Sequence, residues 1–121
     1  MEIKSYRDLD IWQKGMKIAG EVHKLTCGFP SIENFNLTLQ MNRSATSIPS
    51  NIAEGFRRSH RNEYKQFLFI ALGSAAELET QVSLAKNFGY IPEETEKNLL
   101  EELNHTSRMI INLTKKLKES F

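Results

Sequence analysis

The stretch that decides the fold is YKQFLFIALGSAAELETQVSLA, residues 64–85. Apolar or small residues recur in it at alternating spacings of four and three: Tyr64, Leu68, Ala71, Ala75, Leu78, Val82 and Ala85. This heptad repeat is typical of a helix that packs lengthwise against other helices. We therefore predict a helix over residues 60–88, with Ser59 as its N-cap and Gly89 just after its C-terminus.

Three further amphipathic segments surround this one, over residues 6–27, 36–57 and 92–118. Each carries apolar residues at helical spacing; in the first they are Leu9, Trp12, Met16, Ala19, Val22 and Thr26, with Ile11, Ile18 and Leu25 alongside. Ser5 and Asp8 are both candidate caps for the first helix. Gly28 is predicted to end that helix in the left-handed conformation.

The four segments, joined by short connections and accompanied by no strand pattern, predict an all-α protein. A chain of 121 residues has the length of one domain. Short connections favour antiparallel neighbours, so we predict an antiparallel up-down-up-down four-helix bundle over residues 1–121. The heptad spacing predicts left-handed packing, with crossing angles of about +20°.

Pro49 stands inside the second segment. The apolar stripe passes through it without loss of register, since Ala45, Ile48, Ile52 and Phe56 keep helical spacing. A turn at this point would not preserve that phase. We therefore predict one helix with a kink, because proline lacks the N–H that would reach the Ala45 carbonyl.

A line of polar residues runs beside that stripe. On the second segment it is Gln40, Ser44, Ser47, Asn51, Glu54 and Arg58, and on the third it is matched by Ser74, Glu77 and Gln81. We call Gln40, Ser47, Asn51, Glu54, Glu77 and Gln81 the polar seam. It is either a solvated flank or a contact buried between helices, where polar groups need partners. The second alternative predicts that Asn51 and Glu54 are buried and hydrogen-bonded.

The run FLFIALG, residues 67–73, places large apolar side chains on every face of the third helix. One bundle buries one stripe of each helix, so Phe67, Phe69, Ile70 and Leu72 cannot all point inward. One alternative is a wide core with one or two exposed aromatic rings. We favour a homo-oligomer with these four residues in its interface.

Charge is nearly balanced, with 16 Lys and Arg against 15 Asp and Glu. This argues against a strongly basic nucleic-acid binder but leaves room for a local patch. Arg57, Arg58, Arg61 and Lys65, together with His60, form such a cluster at the turn between the second and third helices. The cluster is either a solvated turn or a nucleic-acid-binding surface.

Cellular location follows from what the sequence contains. Cys27 is the single cysteine, which excludes an intramolecular disulfide and suits a reducing compartment. The first twelve residues lack the apolar region of a signal peptide. The apolar run of residues 67–72 is too short to span a membrane. We expect a cytoplasmic protein with no membrane partner.

A search for catalytic chemistry yields one weak match. Glu102 and His105 have the Glu-x-x-His spacing of di-iron bundles, but such sites need a second pair and two further glutamates. We interpret them as a surface pair. With no phosphate loop or nucleophile elbow, we expect no metal, no cofactor and no enzymatic activity.

Three stretches together resemble a known family: YRDLDIWQKGMKIAGEVHKLT (6–26), LQMNRSATSIPSNIAEGFRRS (39–59) and EYKQFLFIALGSAAELETQVSLAKNFGYI (63–91). The chain is similar, over residues 6–91, to the four-helix-bundle proteins encoded in 23S rRNA intervening sequences. The most specific residues are 47–55, 71–74 and 77–79, whereas the fourth segment matches only in pattern. The resemblance implies a homopentamer and places the proline stretch within the second helix.

The resemblance supplies no activity. The accessory variability proteins of diversity-generating retroelements share the implied fold, pair with a reverse transcriptase and bind nucleic acid through a basic surface. Our leading hypothesis is a non-enzymatic oligomeric scaffold that binds structured RNA, such as 23S rRNA or its intervening sequence. The alternative is a protein-binding adaptor, for example a partner of a reverse transcriptase or another nucleic-acid enzyme.

Overall fold

The structure, a computed structural model, describes residues 2–118, with side chains through residue 117. This part of the chain contains four α-helices and no strand: α1 (Asp10–Thr26), α2 (Leu37–Arg57), α3 (Arg61–Asn87) and α4 (Glu93–Lys118). Two 3-10 turns, Tyr6–Asp8 and Ser31–Glu33, precede α1 and α2. The predicted all-α class with four helices is confirmed. The predicted ends differ by one residue or none, except that α1 begins later than expected.

The late start of α1 has a local cause. The Ser5 hydroxyl accepts a hydrogen bond from the Arg7 N–H at 3.1 Å, and the Asp8 carboxylate accepts one from the Ser5 N–H. Both candidate caps are therefore used, in a capping box on the short turn and not on α1 itself. Leu9 is extended, and α1 starts at the next residue.

Two of the predicted helix boundaries are wrong in detail. His60, not Ser59, is the N-cap of α3, and it makes no side-chain cap bond. Gly28 does not adopt positive φ, because 3-10-type bonds such as Phe29 N–H to the Thr26 carbonyl continue the right-handed turn. The prediction for Gly89 is confirmed: its φ is +83°, and the Tyr90 N–H bonds the Ala85 carbonyl across it.

All four helices contribute to one apolar core. The α3 heptad is buried as predicted except for Tyr64, which is half-buried. The stripe of α1 is wrong at Met16, which is 47% exposed. The buried line of α1 consists instead of Ile11, Gly15, Ile18, Val22 and Thr26.

Gly15 belongs to the buried line of α1 because it faces the proline of α2. The helix runs unbroken through Pro49, which confirms the prediction of one helix. A Cβ atom on Gly15 would lie 3.3 Å from the Pro49 Cδ and 3.3 Å from the Ile48 Cγ2. Glycine on α1 thus makes room for the proline ring, and periodicity of apolar residues alone does not reveal such a contact.

The most extensive helix contact joins α2 to α3. The two helices approach closely at Gly55, where a Cβ would come within 2.8 Å of the Phe67 Cβ and 3.2 Å of the Tyr64 carbonyl oxygen. Burial raises the pKa of the Tyr64 hydroxyl to about 12. The close approach holds the end of α2 against the first turns of α3.

The α1–α2 and α3–α4 connections contact each other. The Phe29 and Tyr90 rings lie 5.1 Å apart, and the Tyr90 hydroxyl donates a 2.7 Å hydrogen bond to the buried carboxylate of Glu33. Glu33 also accepts the Leu37 N–H at 3.2 Å and so caps α2, since Asn36 makes no side-chain cap bond.

α3 is the one helix in residues 2–118 whose length and composition would suffice to cross a membrane. Core helices of water-soluble proteins meet the same criterion, and α3 packs against both α2 and α4. Only 39% of the most apolar 18-residue stretch of α3 is buried, so a substantial apolar surface of this helix faces outward.

Candidate nucleic-acid interface

The basic cluster predicted from the sequence lies around the turn between α2 and α3. Arg57 is the last residue of α2, Arg58 follows it as the C-cap, and Arg61 begins α3. Lys65 stands one turn further along α3. The three arginines are exposed and Lys65 is half-buried, so these cations are accessible at one end of the two helices.

Arg58 differs from the other cations because acidic partners hold it. Its Nη2 lies 2.8 Å from the Glu54 Oε2, and its Nη1 lies 3.5 Å from the Glu63 Oε2. The guanidinium also sits 5.0 Å from the centroid of the Phe67 ring. The side chains of Arg58, Glu54 and Glu63 are each more than 40% exposed, so solvent screens the ion pairs. The two carboxylates nevertheless offset the Arg58 charge.

The remaining cations have no such partners. Within the part of the chain whose side chains are described, no Asp or Glu oxygen lies within 4.0 Å of the charged groups of Arg57, Arg61 or Lys65. The uncompensated positive charge of the surface therefore rests on these three residues.

Sequence analysis missed one further cation, Arg7, which the 3-10 turn before α1 brings to this surface. Its guanidinium lies 5.3 Å from the centroid of the Tyr6 ring and 5.1 Å from that of Trp12. Arg57 approaches the same Tyr6 ring at 5.6 Å. The two arginines are fifty positions apart in the sequence, and no spacing pattern connects them.

The polar seam is formed in its middle, whereas its members at both ends of the α2 line are exposed. The Ser47 and Ser74 hydroxyls are 2.8 Å apart, which links α2 to α3. The Asn51 side chain, half-buried, donates to both the carbonyl and the hydroxyl of Ser47 at 2.8 Å. Gln81 is buried, with an Oε1 atom that has no hydrogen-bond partner.

The prediction that Glu54 is buried is wrong for the single chain. Its side chain is 54% exposed and pairs with Arg58 in solvent, because α2 ends one turn later. Gln40 and Glu77 are also exposed. The sequence thus located the seam correctly around Ser47 and Asn51 but extended it too far in both directions.

The four residues assigned to an oligomer interface divide into two pairs. Phe69 is 54% exposed and Ile70 is 49% exposed, whereas Phe67 and Leu72 are half-buried in the chain's own packing. The bundle therefore covers only part of the apolar run of α3, as expected from its all-round apolar character. The homo-oligomer remains a prediction.

The side chains around Glu102 show no ligand set. Within residues 2–118, no three His, Cys, Asp or Glu side chains group as a metal site. His105 is exposed, and Glu102 is half-buried beside Glu21 of α1. Burial, reinforced by the Glu102 carboxyl, raises the pKa of Glu21 above its ordinary value.

Comparison with known proteins fits this four-helix bundle. The model of the 23S rRNA-intervening sequence protein family matches residues 7–112, and the chain belongs to this family. A crystal structure of a protein of unknown function from the S23 ribosomal protein family of Bacteroides thetaiotaomicron is similar, with 25% identity and a TM-score of 0.78. The match covers 87% of this chain and 98% of that one. No protein with a curated description matches the chain.

Proposed function

We propose that the protein is a non-enzymatic, homo-oligomeric scaffold of the cytoplasm that binds structured RNA at the α2–α3 turn. The observation that carries the proposal is the contrast among the four cations: Arg58 is paired with carboxylates, whereas no carboxylate among the described side chains pairs with Arg57, Arg61 or Lys65. Uncompensated cations are the groups that bind phosphates and release counterions. The family name makes 23S rRNA or its intervening sequence the first RNA to test.

The proposed architecture is an antiparallel up-down-up-down, left-handed bundle. Two contacts support this topology. The α1–α2 and α3–α4 connections meet at Phe29 and Tyr90, while the α2–α3 turn meets the N-terminal turn at Arg57 and Tyr6. Both contacts are those expected when consecutive helices alternate in direction.

The proposed homo-oligomer is a pentamer. The number five comes from the family resemblance, and the exposed Phe69 and Ile70 support only association itself. A ring would repeat the basic surface once for each subunit, so that weak phosphate contacts act together through multivalency. Binding would then depend strongly on salt and follow RNA shape more than sequence.

RNA binding is tested by gel shift with 23S rRNA fragments at about 50 and 200 mM salt. The variant Arg57→Ala/Arg61→Ala/Lys65→Ala should weaken binding and lower the salt slope by about 2 to 3. The matched control is Arg43→Ala/Lys97→Ala/Arg108→Ala, which removes three exposed cations from other surfaces and should bind as the wild type does. No binding at the lower salt concentration, or equal loss in both variants, contradicts the proposal.

Oligomerisation is tested by light scattering coupled to size exclusion, which should give about five times 13.9 kDa. Phe69→Glu should dissociate the assembly, because a carboxylate in an apolar interface costs several kcal/mol. Phe35→Glu is the matched control, since Phe35 is 91% exposed and lies in the α1–α2 connection, outside α3. A wild-type monomer at micromolar concentration would rule out the assembly.

The alternative function is a protein-binding adaptor, for example for a reverse transcriptase or another nucleic-acid enzyme. The observation that favours it is the exposure of Phe69 and Ile70 in the middle of α3, where a partner helix could cover them. Mass spectrometry of proteins that co-purify from native cells with the wild type but not with Phe69→Glu tests it. A protein present in stoichiometric amount, together with absent RNA binding, would favour the adaptor over the scaffold.

A further inference from the structure

The basic surface has a second part at the N-terminal turn, where two arginines share one aromatic ring. The Arg7 and Arg57 guanidinium carbons lie 5.3 Å and 5.6 Å from the centroid of Tyr6. Both arginines are exposed, and no Asp or Glu oxygen within 4.0 Å offsets either charge among the described side chains. Two like charges thus lie beside the same ring, and no described carboxylate pairs with either of them.

The aromatic residues under these arginines form a fixed platform. The Tyr6 and Trp12 rings meet edge to face, with centroids 5.4 Å apart and planes at 61°. Both rings are half-buried, so the packing of the turn against α1 fixes their positions. Arg7 lies 5.1 Å from the Trp12 centroid as well, so cation–π attraction orients its guanidinium on both rings.

Such an arrangement offers two kinds of contact to one ligand. The guanidinium forks bind a phosphate in two places, and their planar faces stack on nucleobases. In an RNA duplex the base faces are covered by neighbouring bases, whereas unpaired bases stack on aromatic rings and on arginine planes. Duplex RNA could contact only the positive charges of the two arginines, whereas an unpaired nucleotide could also stack on a guanidinium plane.

We propose that Arg7 and Arg57, braced on Tyr6 and Trp12, bind an unpaired nucleotide of RNA. The guanidinium groups contact the phosphate of this nucleotide, and its base stacks on the Arg7 plane. This inference rests on the proposed function and deepens it, because it adds a residue outside the α2–α3 turn. It also makes single-stranded loops or ends the preferred part of a structured RNA.

Trp12 provides a direct readout because it is the only tryptophan in the chain. The experiment titrates the full-length protein with a short oligouridylate and with an RNA duplex of equal length. Trp12 emission and gel shift are recorded in parallel. We expect saturable quenching of Trp12 by the oligouridylate, together with tighter binding of the single strand.

The deciding variant is Arg7→Lys, which keeps the charge and removes the planar group. It should weaken oligouridylate binding about tenfold and leave duplex binding unchanged. Arg43→Lys, an exposed position on α2, is the matched control and should change neither. Circular dichroism of both variants should equal that of the wild type.

The inference and the proposed function fail in different ways. If Trp12 emission stays constant while the gel shift persists, or if Arg7→Lys binds single strands as the wild type does, the inference is overturned and the RNA-binding scaffold stands. If neither RNA shifts at the lower salt concentration, both are overturned. Equal losses for single strand and duplex in Arg7→Lys would overturn the stacking contact.

Discussion

The connections at opposite ends of α2 treat charge in opposite ways. Before α2, the Glu33 carboxylate is buried and accepts hydrogen bonds from the Tyr90 hydroxyl, the Leu37 N–H and the Asn36 side chain. After α2, Arg57 and Arg61 are exposed, and none of the carboxylates that the structure describes pairs with them. The carboxylate in the first connection is hydrogen-bonded within the protein, whereas the arginines of the second connection face the solvent.

This difference separates charge that stabilises the fold from charge that is available to a ligand. A buried carboxylate with three donors stabilises its own surroundings, because leaving those donors unpaired would cost free energy. Exposed cations contribute little to stability and remain available to an anion. Arg58 is exposed as well, but the Glu54 and Glu63 carboxylates offset its charge.

The largest expected effect comes from Gly55→Ala, which opens the α2–α3 contact behind the basic turn. The new Cβ would meet the Phe67 Cβ at 2.8 Å and the Tyr64 carbonyl oxygen at 3.2 Å, and neither atom can move without its backbone. We expect a loss of about 1–3 kcal/mol in the free energy of unfolding, measured in urea.

The matched control for Gly55→Ala is Gly20→Ala. Gly20 lies within α1, and nothing lies within 4 Å of its added Cβ. Alanine there should stabilise the protein by about 0.5–1 kcal/mol, because it favours the helix. An unchanged or higher stability of Gly55→Ala would show that the contact behind the basic turn is looser than the structure indicates.

A smaller effect is expected from Asn51→Leu, in the seam between the two ends. Leucine would remove the hydrogen bonds to Ser47 and leave the Ser47–Ser74 pair without its third member. We expect a loss of about 1 kcal/mol on urea unfolding. Gln40→Leu, at an exposed position of the same line, should stay within about 0.5 kcal/mol of the wild type.

The third prediction concerns pH at the connection before α2. The Tyr90 hydroxyl, followed by the Leu37 N–H, lowers the pKa of Glu33 below its ordinary value of 4.5. The carboxylate therefore stabilises the fold above that value, and the contribution is lost as pH falls through the lowered pKa.

Thermal unfolding at about pH 7 and pH 3 measures this loss. The melting temperature of the wild type should fall more than that of Glu33→Gln. Tyr90→Phe, which removes the main cause of the shift, should give an intermediate result. Glu101→Gln, at an exposed position of α4, should follow the wild type. An equal fall in Glu33→Gln and the wild type would contradict the structural role of this carboxylate.

The smallest effect has the opposite sign and lies between α1 and α4. Burial raises the pKa of Glu21, and its Oε1 has no hydrogen-bond partner among the described residues, although the Lys17 Nζ lies 3.9 Å away. Ionisation of Glu21 therefore costs stability as pH rises above its ordinary value of 4.5. Glu21→Gln should raise the melting temperature slightly at neutral pH, and this gain should disappear in acid.

Much of the fold was predictable because its signals are local or periodic. The α3 heptad, the register of α2 through Pro49 and the left-handed Gly89 each follow from residues close together in the chain. The errors occur where burial depends on a contact with a residue that is distant in the sequence. Met16 was placed in the core because the Gly15–Pro49 contact cannot be read from α1 alone.

The candidate site was predictable only in part, for the same reason. A run of arginines around a turn marks a basic cluster in any sequence. The partners of each arginine depend on packing: Glu54 and Glu63 hold Arg58, while Tyr6 orients Arg57. Arg7 belongs to this surface because the N-terminal turn lies against the end of α2, a contact that the sequence does not indicate.

The sequence by itself determined four helices, their ends to within a few residues, most of the buried stripes and the family to which the chain belongs. These properties depend on 3.6-residue periodicity and on turn-forming residues, both of which act over short distances along the chain. Only the tertiary structure decided which charges remain free, because that depends on side chains brought together from distant positions. Glu33 is satisfied by Tyr90, and Arg57 is left beside Tyr6, through contacts that exist only after the helices have packed.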